Sequence, residues 1–170
     1  MPRKYFRKYL PDPEVVRRSR LVSFFGGWAQ HPNLWHLNRR SVSGAVAIGL
    51  FSGLVPGPVQ MLAALLLAVP LRRNLPVALV VTLYTNPLTI VPLYVLAYGY
   101  GALLLPGEHA ALPASLDLSA LMALGKPLLV GLLALGCTLA VLGYVAVQLA
   151  WRAWVVAAWR ARARRRGERA

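Results

Sequence analysis

The side chains with chemistry to offer are few. Glu108, His109 and Asp117 share one short stretch, His31 and His36 another, and Ser52, Gln60, Thr85, Asn86 and Thr89 lie within otherwise apolar sequence. General acid–base catalysis draws on His, Asp, Glu, Lys, Tyr or Cys. Glu108, His109 and Asp117 follow no recognisable catalytic motif, and the apolar tracts offer only tyrosines from that set. The chain therefore reads as a non-enzyme. His31 and His36 are five residues apart, not the three or four that bring two side chains together on one helix face. They read as polar interfacial residues rather than metal ligands. Cys137 is the only cysteine, which excludes an intramolecular disulfide and a cysteine metal cluster. Its apolar neighbours suggest a small buried packing residue. No nucleotide-binding glycine loop, metal cluster or haem-attachment motif occurs, so no cofactor is expected.

The amides and hydroxyls are more informative because of where they sit. Residues 41–71 and 74–107 contain no Asp, Glu, Lys, Arg or His, and each tract is broken near its middle. The first break is Leu54-Val55-Pro56-Gly57-Pro58-Val59-Gln60; the second is Thr85-Asn86-Pro87-Leu88-Thr89. Tracts this long and free of charge suit hydrocarbon. Breaks there leave backbone groups that lipid cannot satisfy, so they persist where buried in protein or lining a cavity. A broken helix presents N–H groups at one end and carbonyls at the other, and two breaks at comparable depth are a pointer to a substrate site. The candidate binding residues are Pro56, Gly57, Pro58, Gln60, Asn86, Pro87 and Thr89, with Arg73 and Asn74 at the cytoplasmic mouth. The alternative is that Gln60 and Asn86 merely satisfy each other's exposed backbone.

The elements that must position these residues follow from composition and charge. The chain has 170 residues, 58% of them hydrophobic, and a net charge of +14. Its Lys and Arg cluster at 3–20, at Arg39-Arg40, at Arg72-Arg73 and at 152–169. Clusters flanking apolar spans point to cytoplasmic loops and anionic lipid headgroups, not to nucleic acid. Residues 1–40 read as a basic interfacial segment, with a short helix from Pro13 to Phe25 capped by Asp12. Residues 44–54 and 59–71 are each shorter than the roughly 20 needed to cross. They form either one kinked span or a re-entrant hairpin, and the arginine pairs at both ends favour the hairpin. Residues 75–105 suggest a broken span, perturbed again at Pro92 and ending in interfacial Tyr94, Tyr98 and Tyr100. Residues 106–125 read as an external loop, 127–151 as a second span, and 152–170 as a basic cytoplasmic tail with Trp151, Trp154 and Trp159 at the interface. The expected fold is an all-α membrane protein: a broken or re-entrant helical hairpin, two transmembrane helices, basic amphipathic ends, and both termini in the cytoplasm. Gly49 and Gly53, with Gly131, Ala134, Gly136 and Gly143, would permit close helix packing inside the subunit or between copies.

One ordered series of motifs carries a resemblance. It runs Asn38-Arg39-Arg40-Ser41, Gly44 to Gly53, Pro56-Gly57-Pro58-Val59-Gln60-Met61, Arg73-Asn74-Leu75-Pro76, Thr85-Asn86-Pro87-Leu88-Thr89 and Pro92-Leu93-Tyr94. From His36 to about Leu105 the chain resembles the bacterial membrane family DUF2062. The resemblance implies a protein of the bacterial inner membrane and supplies no reaction.

Two functional classes remain. One is transport or lipid handling through a pocket between the broken helices. Proton coupling through a membrane carboxylate is disfavoured, because no ionisable carboxylate lies in either tract. The other is a non-catalytic accessory or assembly subunit of a larger complex. Three crossings' worth of apolar mass encloses little, so a second copy or a membrane partner is expected under both.

Overall fold

Asparagines start the helices. In the structure, a computed structural model that describes residues 31–57, 59–106 and 124–167, Asn38 Oδ1 accepts the Ser41 N–H at 2.7 Å and opens α1, Arg39–Ser52. Asn74 Oδ1 accepts the Val77 N–H at 3.0 Å and opens α3, Leu75–Thr82, with Pro76 in the first turn, where no N–H is needed. Between them lies α2, Val59–Ala68. It ends where the Arg72 N–H reaches the Val69 carbonyl and the Arg73 N–H reaches the Ala68 carbonyl. That is a Schellman closure, in which glycine usually takes the left-handed position. Here Arg72 holds it, at φ 53°, at a cost of about 1 kcal/mol.

Two further helices complete the described chain: α4, Ile90–Leu104, and α5, Lys126–Gly167. Among the described residues there is a short 3-10 turn at Pro32–Leu34 and no strand. The basic segment 1–30 with its expected helix, Pro58, most of the expected external loop (107–123) and residues 168–170 lie outside the described residues.

Side-chain contacts fix how the helices run. Arg73 Nη1 donates to the Arg40 carbonyl at 2.7 Å, so the end of α2 returns to the start of α1. Gly57, at φ 68°, turns the chain at the far end. α3 then runs beside α1, with Gly49 against Ala78 and Val81. α5 runs antiparallel to α1: Gly136 meets Phe51, Gly143 meets Leu50, and Gln148 Nε2 donates to Ser43 Oγ at 3.0 Å. α4 and α5 cross backbone to backbone, Gly101 on Pro127 and Gly131 on Ala97. One apolar cluster fills the root, around Leu34, Val42, Ile48, Leu65 and Leu75; the other surrounds the tip, around Leu54, Tyr94, Tyr98, Leu128 and Leu135.

α5 is long and apolar enough to cross a membrane over Lys126–Arg162, and only 22% of its most apolar stretch is buried. A core helix of a soluble protein would be mostly covered. The helix also continues past Trp151 into the basic tail rather than ending there; alanine and arginine are strong helix formers.

Three expectations need correction. Tyr94 and Tyr98 are core residues, not interfacial anchors, because the Tyr94 hydroxyl serves a buried carbonyl (below). Cys137 is exposed, because the face of α5 turned inward is the one carrying Leu128, Gly131 and Leu135. Pro92 lies inside α4 and does not break it; near a helix start the missing N–H costs little.

Candidate functional site

The end of α1 is buried, so each of its last carbonyls needs a donor. The Gly49 carbonyl takes the Gly53 N–H, Phe51 takes the Leu54 N–H, and Ser52 takes the Val55 N–H. The other three are reached by hydroxyls from the second break. Tyr84 Oη donates to the Leu50 carbonyl at 2.8 Å, Thr85 Oγ1 to Gly53 at 2.6 Å, and Tyr94 Oη to Leu54 at 2.9 Å. The carbonyls from Gly49 through Leu54 thus each accept a hydrogen bond from the chain itself.

Thr85 is the hinge of this arrangement. Its hydroxyl also lies 2.8 Å from Gln60 Oε1 and 3.0 Å from the Thr82 carbonyl. One proton cannot serve three acceptors at once. Turning the Gln60 amide over, which exchanges its oxygen and nitrogen, gives Thr85 Oγ1 a donor and frees its own proton for Gly53. The contact joins the first break to the second through neutral groups only.

The second break closes on itself. Asn86 Oδ1 accepts the N–H groups of Leu88 and Thr89 at 2.9 and 3.1 Å. Thr89 Oγ1 accepts the Asn86 N–H at 2.9 Å and donates to the Tyr84 carbonyl at 2.7 Å. This is a reciprocally bonded turn around Pro87 that leads into α4, whose own N-cap, Thr89, makes no side-chain cap bond. Among the described residues, every buried side-chain nitrogen or oxygen has a hydrogen-bond partner.

The candidate residues therefore fall into two places. Pro56, Gly57 and Gln60 stand at the tip, near Thr85, with Asn86, Pro87 and Thr89 beside them; Pro58 lies outside the described residues. Arg73 and Asn74 sit at the root, at the other end of α3. Asn74 is buried and its N–H faces the Ser41 carbonyl at 3.5 Å. Arg73 lies across Gly44, where a Cβ would come within 2.5 Å of Arg73 Cδ. Direct pairing of Gln60 with Asn86 does not occur: Gln60 meets Thr85, and Asn86 is exposed and turned to its own helix. Tyr84, Tyr94 and Gln148 were not among the candidates. Neither Tyr84, just before the second break, nor Tyr94, eight residues after Asn86, carries a sequence signal of the carbonyl it will reach. His31 Nδ1 accepts the Asn33 N–H at 3.2 Å and caps the 3-10 turn.

No curated protein and no solved structure matches the chain. A family profile described as "Uncharacterized protein conserved in bacteria (DUF2062)" matches residues 22–160. The match takes in both breaks, the arginine pairs at the root and the apolar length of α5, and the chain belongs to the DUF2062 family.

Proposed function

We propose that this is an integral, multi-pass protein of the bacterial inner membrane, that α1 and α2 form a re-entrant hairpin, and that it serves as a non-catalytic accessory or assembly subunit. The depth of the hairpin is supported by its contacts with α5. From Gln148, beside Ser43, to Gly136, beside Phe51, α5 rises about 18 Å; from Gly136 to Lys126 it rises about 15 Å more. The sum matches a hydrocarbon core of about 30 Å, and the tip falls near its middle. α3 climbs to that depth and α4 continues to the far side, which makes one crossing in two pieces.

The accessory role is carried by the hydroxyls of Tyr84, Thr85 and Tyr94 on the α1 carbonyls. Groups that a carrier would offer to its substrate are here consumed in holding two broken helices together. The partner would cover the outer face of α5, where Leu133, Val141, Leu142 and Leu149 are exposed. A second reading, lipid handling at the tip, is favoured by the exposed Asn86 beside Leu88, which is 84% exposed.

Impermeant thiol labelling tests the topology. In a Cys137→Ser background, single cysteines at the exposed root positions 39 and 72 should be shielded in intact cells and react in opened membranes, while one at 107 reacts in both. Labelling of 39 and 72 from opposite sides would replace the hairpin with a kinked span. Gln60→Leu and Asn86→Leu then separate the roles. Lower membrane abundance is expected for a packing hub; normal abundance with loss of lipid or solute flux would favour the second reading.

A further inference from the structure

We infer that the root of the hairpin is a discrete recognition surface for the phosphates of anionic lipid headgroups; this rests on the membrane placement proposed above. Arg39, Arg40, Arg72 and Arg73 converge there, because Arg73 Nη1 binds the Arg40 carbonyl and the Asn74 N–H faces the Ser41 carbonyl. Arg152 follows Gln148 by one helical turn, and Gln148 is tied to Ser43 at the same level. All five acidic residues lie outside the described residues, so the described part of the chain supplies these arginines with no carboxylate.

The arrangement is more than loose surface charge. Arg73 is half-buried, its stem occupies the space left by Gly44, and one N–H is held by a carbonyl. Its guanidinium is thereby fixed, with further N–H groups in the planar fork that suits a phosphate. Arg39, Arg40 and Arg72 stand exposed around it. Trp35 and Trp151 pack against the core at the same end, as side chains at the headgroup level do. Charge sign, a fixed guanidinium and aromatic flanks at the end of an apolar span select a lipid phosphate over an acidic protein.

The test uses the full chain in nanodiscs of phosphatidylcholine containing one quarter phosphatidylglycerol. The readout is the phosphatidylglycerol fraction among lipids retained after transfer to mild detergent, measured by native mass spectrometry. An arginine near an anionic surface contributes roughly fivefold in affinity. Arg39→Gln with Arg72→Gly should lower retained phosphatidylglycerol by at least fivefold. Both residues are exposed, and glycine suits the backbone at 72, so folding is preserved. Arg160→Gln with Arg162→Gln removes the same charge from the tail and should leave retention within twofold of wild type. Equal loss in both pairs would overturn the site in favour of diffuse attraction, as would unchanged retention in the root variant. Displacement of the lipid by millimolar inorganic phosphate would reassign the surface to free phosphate. Release of the wild-type protein by alkaline carbonate would defeat the membrane placement itself, independently of these outcomes.

Discussion

Replacing Gly131 by alanine should be among the most damaging single changes in the protein. A Cβ there would overlap the Ala97 carbonyl and come within 2.9 Å of the Gly101 nitrogen; one on Gly101 would overlap the Pro127 carbonyl and come within 2.9 Å of the Gly131 nitrogen. The obstructing atoms are all backbone, so no rotamer change can relieve the overlap. The helices must part instead. A gap of 0.5–1 Å forfeits roughly a quarter to a half of each dispersion contact across it, and this crossing also carries the buried Ala97, Tyr98, Leu128 and Leu135. Overpacking of a tight core costs about 1–3 kcal/mol; with backbone on both sides, the expected value is the upper end, about 3 kcal/mol. Gly99 supplies the control. It lies in the same helix as Gly101, and a Cβ there meets nothing within 4 Å. Gly99→Ala should stabilise by about 0.5–1 kcal/mol through helix propensity. Equilibrium unfolding in mixed micelles, read by steric trapping, would measure both. A Gly131→Ala protein within about 0.5 kcal/mol of wild type would refute the backbone crossing as the determinant of how α4 meets α5.

Other substitutions probe the caps and the hub. Tyr94→Phe strands the buried Leu54 carbonyl and should cost about 1.5 kcal/mol, whereas Tyr100→Phe, on an exposed side chain 3.3 Å from Thr138 Oγ1, should change stability by less than about 0.5 kcal/mol; the same unfolding assay compares them. Asn74→Ala removes a buried cap and should cost about 2 kcal/mol, and Asn86→Ala, in the exposed turn ahead of α4, about 1 kcal/mol. Arg72→Gly should raise stability by about 1 kcal/mol, because glycine takes the left-handed backbone without strain; a loss of stability would show that the Arg72 side chain makes a contact worth more than the strain.

What was legible in the sequence was the punctuation. Pro56-Gly57-Pro58 and Asn86-Pro87 mark the ends of α1 and α3 because proline and glycine act locally, whatever surrounds them. Asn38 and Asn74 act as caps just as locally, but the sequence did not mark them as such: Asn38 precedes two arginines, and Asn74 reads as a residue of the cytoplasmic mouth. The paired arginines at 39–40 and 72–73 carried the return of the chain to one end. The close packing of Gly49, Gly131, Gly136 and Gly143 was visible as spacing, though not which helix each would meet. Hydrogen-bond partners across the break were not legible. Whether Gln60 faces Thr85 or Asn86 depends on the rotation of α3 about its own axis, which only the packed bundle sets. Tyr94 was misjudged because a tyrosine that serves a buried carbonyl has the same composition signal as one at an interface. Cys137 was misjudged because an apolar run carries no phase when lipid or a partner accepts the outer face.

A hairpin at half depth, as proposed above, would have a mechanical consequence. A lateral slice through the root cuts α1, α2, α3 and α5, while a slice beyond the tip cuts α4 and α5. With helices about 10 Å across, the described part of the chain occupies roughly 150 Å² more area on the root side than on the other. In the proposed orientation it is a wedge, broad in the cytoplasmic leaflet and narrow in the outer one. Partitioning between small and large vesicles would measure this, and equal partitioning would contradict it. A wedge relieves packing stress where the broad leaflet is stretched, so in the proposed orientation the fold would couple the protein's lateral distribution to membrane curvature, without any ligand.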